Sequence, residues 1–65
     1  MTQTGDYSVN AQGLIAYAQM QEPETGIRIL QLTFGMARVV AEELYYGNLV
    51  ATCKGAEITE LRQAD

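Results

Sequence analysis

The chain has no histidine and no tryptophan, and only one cysteine and one proline among its 65 residues. Without histidine, a single chain cannot contain an imidazole general base, a Ser–His or Cys–His pair, or an imidazole metal ligand. Its lone cysteine, Cys53, cannot form an intramolecular disulfide. Because small secreted domains normally carry several disulfides, we expect a reducing compartment, the cytoplasm.

Basic residues are also scarce. Four Lys and Arg residues oppose eight Asp and Glu residues, which gives a formal net charge of -4. Affinity for a phosphate backbone comes from clustered Lys and Arg, so direct binding to nucleic acid is not expected. The longest uncharged apolar stretch is far shorter than the roughly 20 residues of a membrane helix. The N-terminus also lacks the basic start and apolar run of a signal peptide. We therefore expect neither a nucleic-acid partner nor a membrane partner.

The remaining composition is that of a folded domain. Hydrophobic residues make up 48% of the chain and charged residues 18%. We expect one small domain over residues 1–65, in which the polar residues 1–12 form a flexible N-terminal arm. A core of this size buries only about 60% of the surface that the unfolded chain exposes, so the domain is marginally stable alone.

The first half of the chain is predicted to form a β-hairpin. In residues 14–21 every even position is apolar, and this period of two is typical of a half-buried strand. Residues 22–26 have proline early and glycine last, which suits a hairpin loop. Residues 27–32 begin with a β-branched side chain and can pair back on the first strand.

A helix is predicted next. Four small or apolar residues recur at helical spacing: Ala37, Val40, Ala41 and Leu44. Thr33 has the side chain of an N-terminal cap, and Gly47 is placed to end the helix. Arg38 and Glu42 are four residues apart and form a modest i,i+4 ion pair on its polar side.

A second hairpin is predicted from residues 49–53 and 56–61, which flank a Lys54-Gly55 turn. The expected fold is therefore α+β, a small antiparallel sheet in the order β-β-α-β-β with one helix packed on one face.

An all-α alternative stays open, because another set of residues has heptad spacing: Ile27, Leu30, Phe34, Ala37, Ala41 and Leu44. This set predicts one helix from about Glu24 to Tyr46 in a helical dimer, and Pro23 suits its first turn. Gly26 and Gly35 oppose it, because each costs about 1 kcal/mol inside a helix. The sequence alone leaves residues 24–34 as strand or helix.

Six residues are candidates for binding a partner: Glu42, Glu43, Tyr45, Tyr46, Glu57 and Glu60. Tyrosine is enriched at binding hot spots, and two adjacent rings on a helix cannot both face the core, so one tyrosine of the pair is expected to be exposed. The carboxylates are expected to form a solvated acidic surface rather than an acid–base pair. We expect no metal, no cofactor and no catalytic residue, and Cys53 is expected to be an inert strand residue.

The stretch from Gly26 to Leu44, read as a strand, the Thr33 cap and an alanine-faced helix, resembles small phage-encoded inhibitors of host proteins. The type I anti-CRISPR proteins are similar, and the small RNA polymerase inhibitor of T7-like phages is the second choice. The resemblance spans residues 14–61. It implies a non-enzymatic inhibitor in the host cytoplasm that blocks a basic nucleic-acid-binding surface of a host protein or ribonucleoprotein complex. The alternative is a self-associating structural or accessory protein, a homodimer.

Overall fold

A computed structural model describes residues 10–64 of the protein. Three helices precede a two-stranded antiparallel sheet: α1 (Ala11–Gln19), α2 (Pro23–Phe34), α3 (Arg38–Tyr45), β1 (Leu49–Lys54) and β2 (Glu57–Gln63). The α+β class agrees with the sequence prediction, but the predicted order β-β-α-β-β is wrong. The first predicted hairpin forms α1 and α2 instead. The all-α alternative is also wrong, because the second hairpin is present and the predicted long helix is broken into α2 and α3.

Helix α1 begins at a side-chain cap. The Oδ1 atom of Asn10 accepts a hydrogen bond of 3.1 Å from the backbone N–H of Gly13, which satisfies one free donor of the first turn. The last two residues of the predicted arm, at positions 11 and 12, are therefore the start of α1. The rest of the arm, residues 1–9, lies outside the described residues.

The buried side of α1 explains why a strand was predicted there. Ala11, Ile15 and Ala18 are buried and lie at i, i+4 and i+7. The even positions from 14 to 20 are all apolar because alanine occurs on both the buried and the exposed side of α1, and because Met20 is apolar although it is almost fully exposed. A short apolar run of this kind fits both periods, and tertiary packing decides between them.

Helix α2 begins at Pro23, where the missing N–H of proline costs nothing, and Glu24 follows in the favourable first turn. The helix ends at Gly35, which adopts a left-handed conformation with a φ of 66° and donates its N–H to the carbonyl of Gln31 at 2.8 Å. Thr33 therefore lies inside α2, and its predicted role as a helix cap is wrong.

Gly26 is buried within α2 because two other elements approach it closely. A Cβ atom at this position would lie 2.5 Å from the Cε1 atom of Tyr45 and would also overlap the carbonyl oxygen of Ala18. The absence of a side chain thus allows α1, α2 and α3 to pack together. The cost of glycine in a helix is offset by this close approach, so Gly26 does not oppose a helix here as the sequence suggested.

Two side chains fasten the end of α3 to the end of α1. The Nε2 atom of Gln19 donates to the carbonyl of Leu44 at 2.9 Å, and the hydroxyl of Tyr45 donates to the carbonyl of Gln21. The first of these bonds satisfies one of the free carbonyls at the C-terminus of α3. Gly47 follows α3 with a φ of 84°, so its predicted position at the helix end is confirmed.

The predicted second hairpin is present, but its turn is formed by Gly55 and Ala56 rather than by Lys54 and Gly55, because Lys54 is still in β1 and pairs with Glu57. Its strands shift register between Thr52 and Cys53, so that Thr52 pairs with Glu60 and Cys53 with Ile58. A bulge at Thr59 therefore interrupts the alternation of β2. The carbonyl of the turn glycine accepts a hydrogen bond of 2.7 Å from the first residue of α1, which ties the hairpin to the helices.

The core lies between the three helices. It is formed by six buried residues: Ile15, Ala18, Ile27, Leu30, Ala41 and Leu44. The hairpin covers one side of this cluster with partly buried residues: Leu49, Ala51, Cys53 and Ile58. Within residues 10–64, no helix is long and apolar enough to cross a membrane.

Candidate protein-binding surface

The side of α3 that faces away from the core carries four residues that share one face of the helix: Val39, Glu42, Glu43 and Tyr46, of which the two carboxylates are half-buried. We call these residues the outer stripe of α3. The side chains at its two ends are both large, apolar or aromatic, and exposed, with 63% of Val39 and 61% of Tyr46 accessible to solvent. The two carboxylates lie between them, so the stripe combines two hydrophobic contacts with a negative centre.

One of these carboxylates is already paired. The Nε atom of Arg38 lies 2.9 Å from the Oε2 atom of Glu42, as the i,i+4 spacing predicts. The two side chains remain 55% and 40% exposed. A pair in this setting contributes about 0.3–0.5 kcal/mol to stability because solvent screens it. It therefore leaves Glu42 accessible to a stronger cationic partner.

The charges of α3 oppose the helix dipole. Within Arg38–Tyr45 there is no acidic residue in the first turn and no basic residue in the last turn. Instead, Arg38 occupies the first turn, while Glu42 and Glu43 fall in the last. Each such placement costs about 0.3–1 kcal/mol on an exposed helix. Helix stability therefore does not explain these charges, and departures from a local rule of this kind are expected at functional sites.

The two adjacent tyrosines have different environments, which confirms that one ring is exposed. Tyr45 is half-buried, with its ring against Gly26 and its hydroxyl bonded to the carbonyl of Gln21. The ring of Tyr46 is exposed and meets that of Tyr45 edge to face, at 4.9 Å between centroids and 88° between planes. Tyr45 therefore supports the exposed ring of Tyr46 and is itself only partly accessible.

The other two predicted residues lie in a different element. Glu57 and Glu60 are exposed on β2, where Glu57 pairs across the hairpin with Lys54 and Glu60 with Thr52. β2 packs chiefly on β1 rather than on α3. The six predicted residues thus divide into a group on α3 and a group on the hairpin.

Sequence reasoning missed Val39, although its i+7 spacing to Tyr46 was visible. It also missed a groove of about 460 Å³ between the α2–α3 turn and β2. The apolar side chains of this groove come from both elements: Phe34, Met36, Ile58 and Leu61. The groove depends on the bulge and on the position of α2, neither of which a sequence pattern predicts.

Metal-binding side chains do not cluster in the described part of the chain. Residues 10–64 contain no cluster of three or more His, Cys, Asp or Glu side chains that could hold a metal ion. Over the same part of the chain, every buried side-chain nitrogen or oxygen has a hydrogen-bond partner. Cys53 is a half-buried free thiol packed against the core.

Comparisons with known proteins yield no relative. No family model matches the chain, and neither a curated protein nor a solved structure matches it. The stretch from Gly26 to Leu44 is helical on both sides of Gly35, so the strand, cap and helix that resemble phage inhibitors are not formed in that order.

Proposed function

We propose that the protein is a non-enzymatic binding protein that covers a basic nucleic-acid-binding surface of another protein or ribonucleoprotein. The outer stripe of α3 carries this proposal. Its exposed apolar ends, Val39 and Tyr46, recur at the i, i+7 spacing by which helices anchor in grooves. Its carboxylates fit a groove that is lined with Lys and Arg.

The element order around α3 supports a macromolecular partner. A three-residue turn of Gly35, Met36 and Ala37 joins α2 to α3, as in helix–turn–helix motifs, whose second helix enters the major groove of DNA. In this protein the second helix carries the half-buried carboxylates of Glu42 and Glu43 on its outer face, and DNA phosphates repel them. A second helix that follows a short turn but carries the opposite charge suits a protein that itself binds nucleic acid.

The net charge of -4 supports the same partner chemistry, because a negative protein is steered toward a basic surface and binds it faster. The proposed activity is the one expected of a phage-encoded inhibitor that acts in the host cytoplasm. Support for the activity comes from the outer stripe of α3 and does not depend on the resemblance to phage proteins.

The test is capture from a bacterial lysate with the full chain immobilised, followed by elution with heparin or duplex DNA. We expect the wild type to retain a specific nucleic-acid-binding protein that either polyanion releases. Reversing both carboxylates, Glu42→Arg with Glu43→Arg, should abolish this capture while circular dichroism shows an unchanged fold, because a like-charge pair with Arg38 costs only about 0.2–0.5 kcal/mol.

The matched control reverses two exposed carboxylates at the start of α2, Glu22→Arg with Glu24→Arg, and so changes the net charge equally. We expect this variant to retain the captured protein. Equal loss in both double variants would show attraction by net charge alone. Unchanged capture by the α3 variant, or a captured protein that neither polyanion releases, would refute the proposal.

A further inference from the structure

Among residues 10–64, no strand pairs with the outer edge of β2. The strand has seven residues, pairs with β1 along its other edge, and all of its residues except Ile58 are exposed. In an antiparallel hairpin, every second residue directs its backbone N–H and C=O away from the partner strand. Natural proteins protect such edges with proline, charged side chains such as lysine, a β-bulge or a covering segment. Between Glu57 and Gln63 the strand contains neither proline nor lysine; its bulge lies at Thr59, and its charges at Glu60 and Arg62 flank Leu61 with opposite signs.

We infer that a second copy of the chain occupies this edge, with the two β2 strands antiparallel across a two-fold axis at Leu61. The axis is identified by charge. With Leu61 opposite its own counterpart, Glu60 lies opposite Arg62 of the second copy, and Arg62 opposite Glu60 of the second copy. The dimer then contains two symmetric ion pairs, each between Glu60 of one copy and Arg62 of the other.

Neighbouring registers lack this complementarity. A two-fold axis at Glu60 places two carboxylates directly opposite each other, and an axis at Arg62 does the same with two guanidinium groups. Like charges in directly opposed positions are destabilising. An axis shifted by one residue also moves Leu61 off the centre of the pairing, so both charge and packing favour the axis at Leu61.

The face of the hairpin agrees with the same axis. Leu61 pairs with Ala51, which packs against the core, so Leu61 is on the inner face and borders the apolar groove. Glu60 pairs with Thr52 and Arg62 with Val50, two exposed residues, so both charges are on the outer face. The second copy would extend the apolar inner face and place the ion pairs in solvent. The pairing uses no residue of the outer stripe of α3.

Analytical ultracentrifugation of the full chain, from low micromolar to millimolar concentration, tests this interface. We expect the wild type to form a dimer. Glu60→Arg and Arg62→Glu should each raise the dimer dissociation constant about tenfold or more, because both symmetric pairs change from attraction to repulsion. An equimolar mixture of these two variants should form a heterodimer, since positions 60 and 62 are then both positive in one strand and both negative in the other.

The double variant with both substitutions in one chain should again form a homodimer, because the pairs are restored in reverse. Glu43→Arg makes the same charge change on α3 and should leave the dimer unchanged. A wild type that stays monomeric throughout would overturn the inference. So would single variants that dimerise like the wild type, a mixture that fails to associate, or an equal loss in Glu43→Arg.

Discussion

The helices and the hairpin contribute to this protein in different ways. Within residues 10–64, all the buried residues lie in α1, α2 or α3, whereas β1 and β2 contain only partly buried and exposed ones. The helices are also tied to one another by side-chain bonds such as that from Gln19 to Leu44. The hairpin is held at its base by packing and at its turn by one backbone bond, from Ala11 to Gly55.

Because of this difference, the helices mainly stabilise the fold, whereas the hairpin mainly offers surface that another molecule can contact. Burial of apolar area in the helices supplies most of the folding free energy, so residues there are constrained by packing. The hairpin leaves an open strand edge and an apolar groove, which are features of a surface that is completed by another molecule. Helix α3 belongs to both parts, because Leu44 is in the core whereas Val39 and Tyr46, at the two ends of the outer stripe of α3, are exposed.

Two leucine-to-alanine substitutions test the difference between the helices and the hairpin, and the first has the largest expected effect. Leu30 in α2 is fully buried, and Leu30→Ala should destabilise the protein by about 2–5 kcal/mol through lost burial and the cavity that remains. A chain of this length has a total stability of about 3–10 kcal/mol, so a large fraction should be unfolded. Urea denaturation followed by circular dichroism measures the change.

The matched substitution in the hairpin is Leu49→Ala. Leu49 is only partly buried, and its truncation should cost about 1–2 kcal/mol. An equal loss from Leu49→Ala and Leu30→Ala would contradict the division between a stabilising helical part and a weakly buried hairpin.

The close packing of the helices at Gly26 gives the next largest effect. In a free helix, glycine to alanine is stabilising by about 1 kcal/mol. At Gly26 the new methyl group would overlap the Tyr45 ring and the Ala18 carbonyl, so Gly26→Ala should instead destabilise the protein by about 1–3 kcal/mol.

Gly13 provides the control, because it is an exposed glycine in α1. Gly13→Ala should raise the midpoint of urea unfolding, whereas Gly26→Ala should lower it. The same sign in both variants would mean that the helices do not approach closely at Gly26.

The error in the first predicted hairpin has the same physical origin as the effect at Gly26. Glycine after proline was interpreted as a hairpin loop, but Pro23 is the first residue of a helix and Gly26 is a contact point between helices. A sequence pattern reports local conformational preference, and close approach of distant segments is not a local property. Ala18, which contributes the opposing carbonyl, is eight residues away in the chain.

Elements with strong local signals were predicted correctly. Helix α3 has its apolar face and the Arg38–Glu42 pair as predicted, although it begins at Arg38 and Ala37 is exposed. The second hairpin was found from its turn, but the imperfect alternation of β2 could be explained only by the bulge at Thr59. For the site, charge and aromatic content predicted Glu42, Glu43, Tyr45 and Tyr46 as binding residues, and these stay predictions. That Tyr45 is half-buried while Tyr46 is exposed depends on what each ring packs against, which the sequence does not show.

The smallest expected effect sharpens the comparison within α3, where core and surface meet. Exchanging the two charges of its ion pair, Arg38→Glu with Glu42→Arg, keeps the pair and the net charge but aligns both with the helix dipole. The acidic residue then precedes the basic one, which is also the better i,i+4 orientation. We expect the free energy of unfolding to rise by about 0.3–1 kcal/mol.

Binding should change in the opposite direction, because the exchange moves a cation into the outer stripe of α3, beside Glu43. A more stable protein that captures less of its partner would show that the native charges of α3 serve recognition at the expense of stability. Urea unfolding and capture from lysate, measured on the same preparation, show whether stability rises while binding falls. Unchanged or lower stability would contradict the claim that the native charges of α3 oppose the helix dipole. Unchanged capture would place the binding surface away from Glu42.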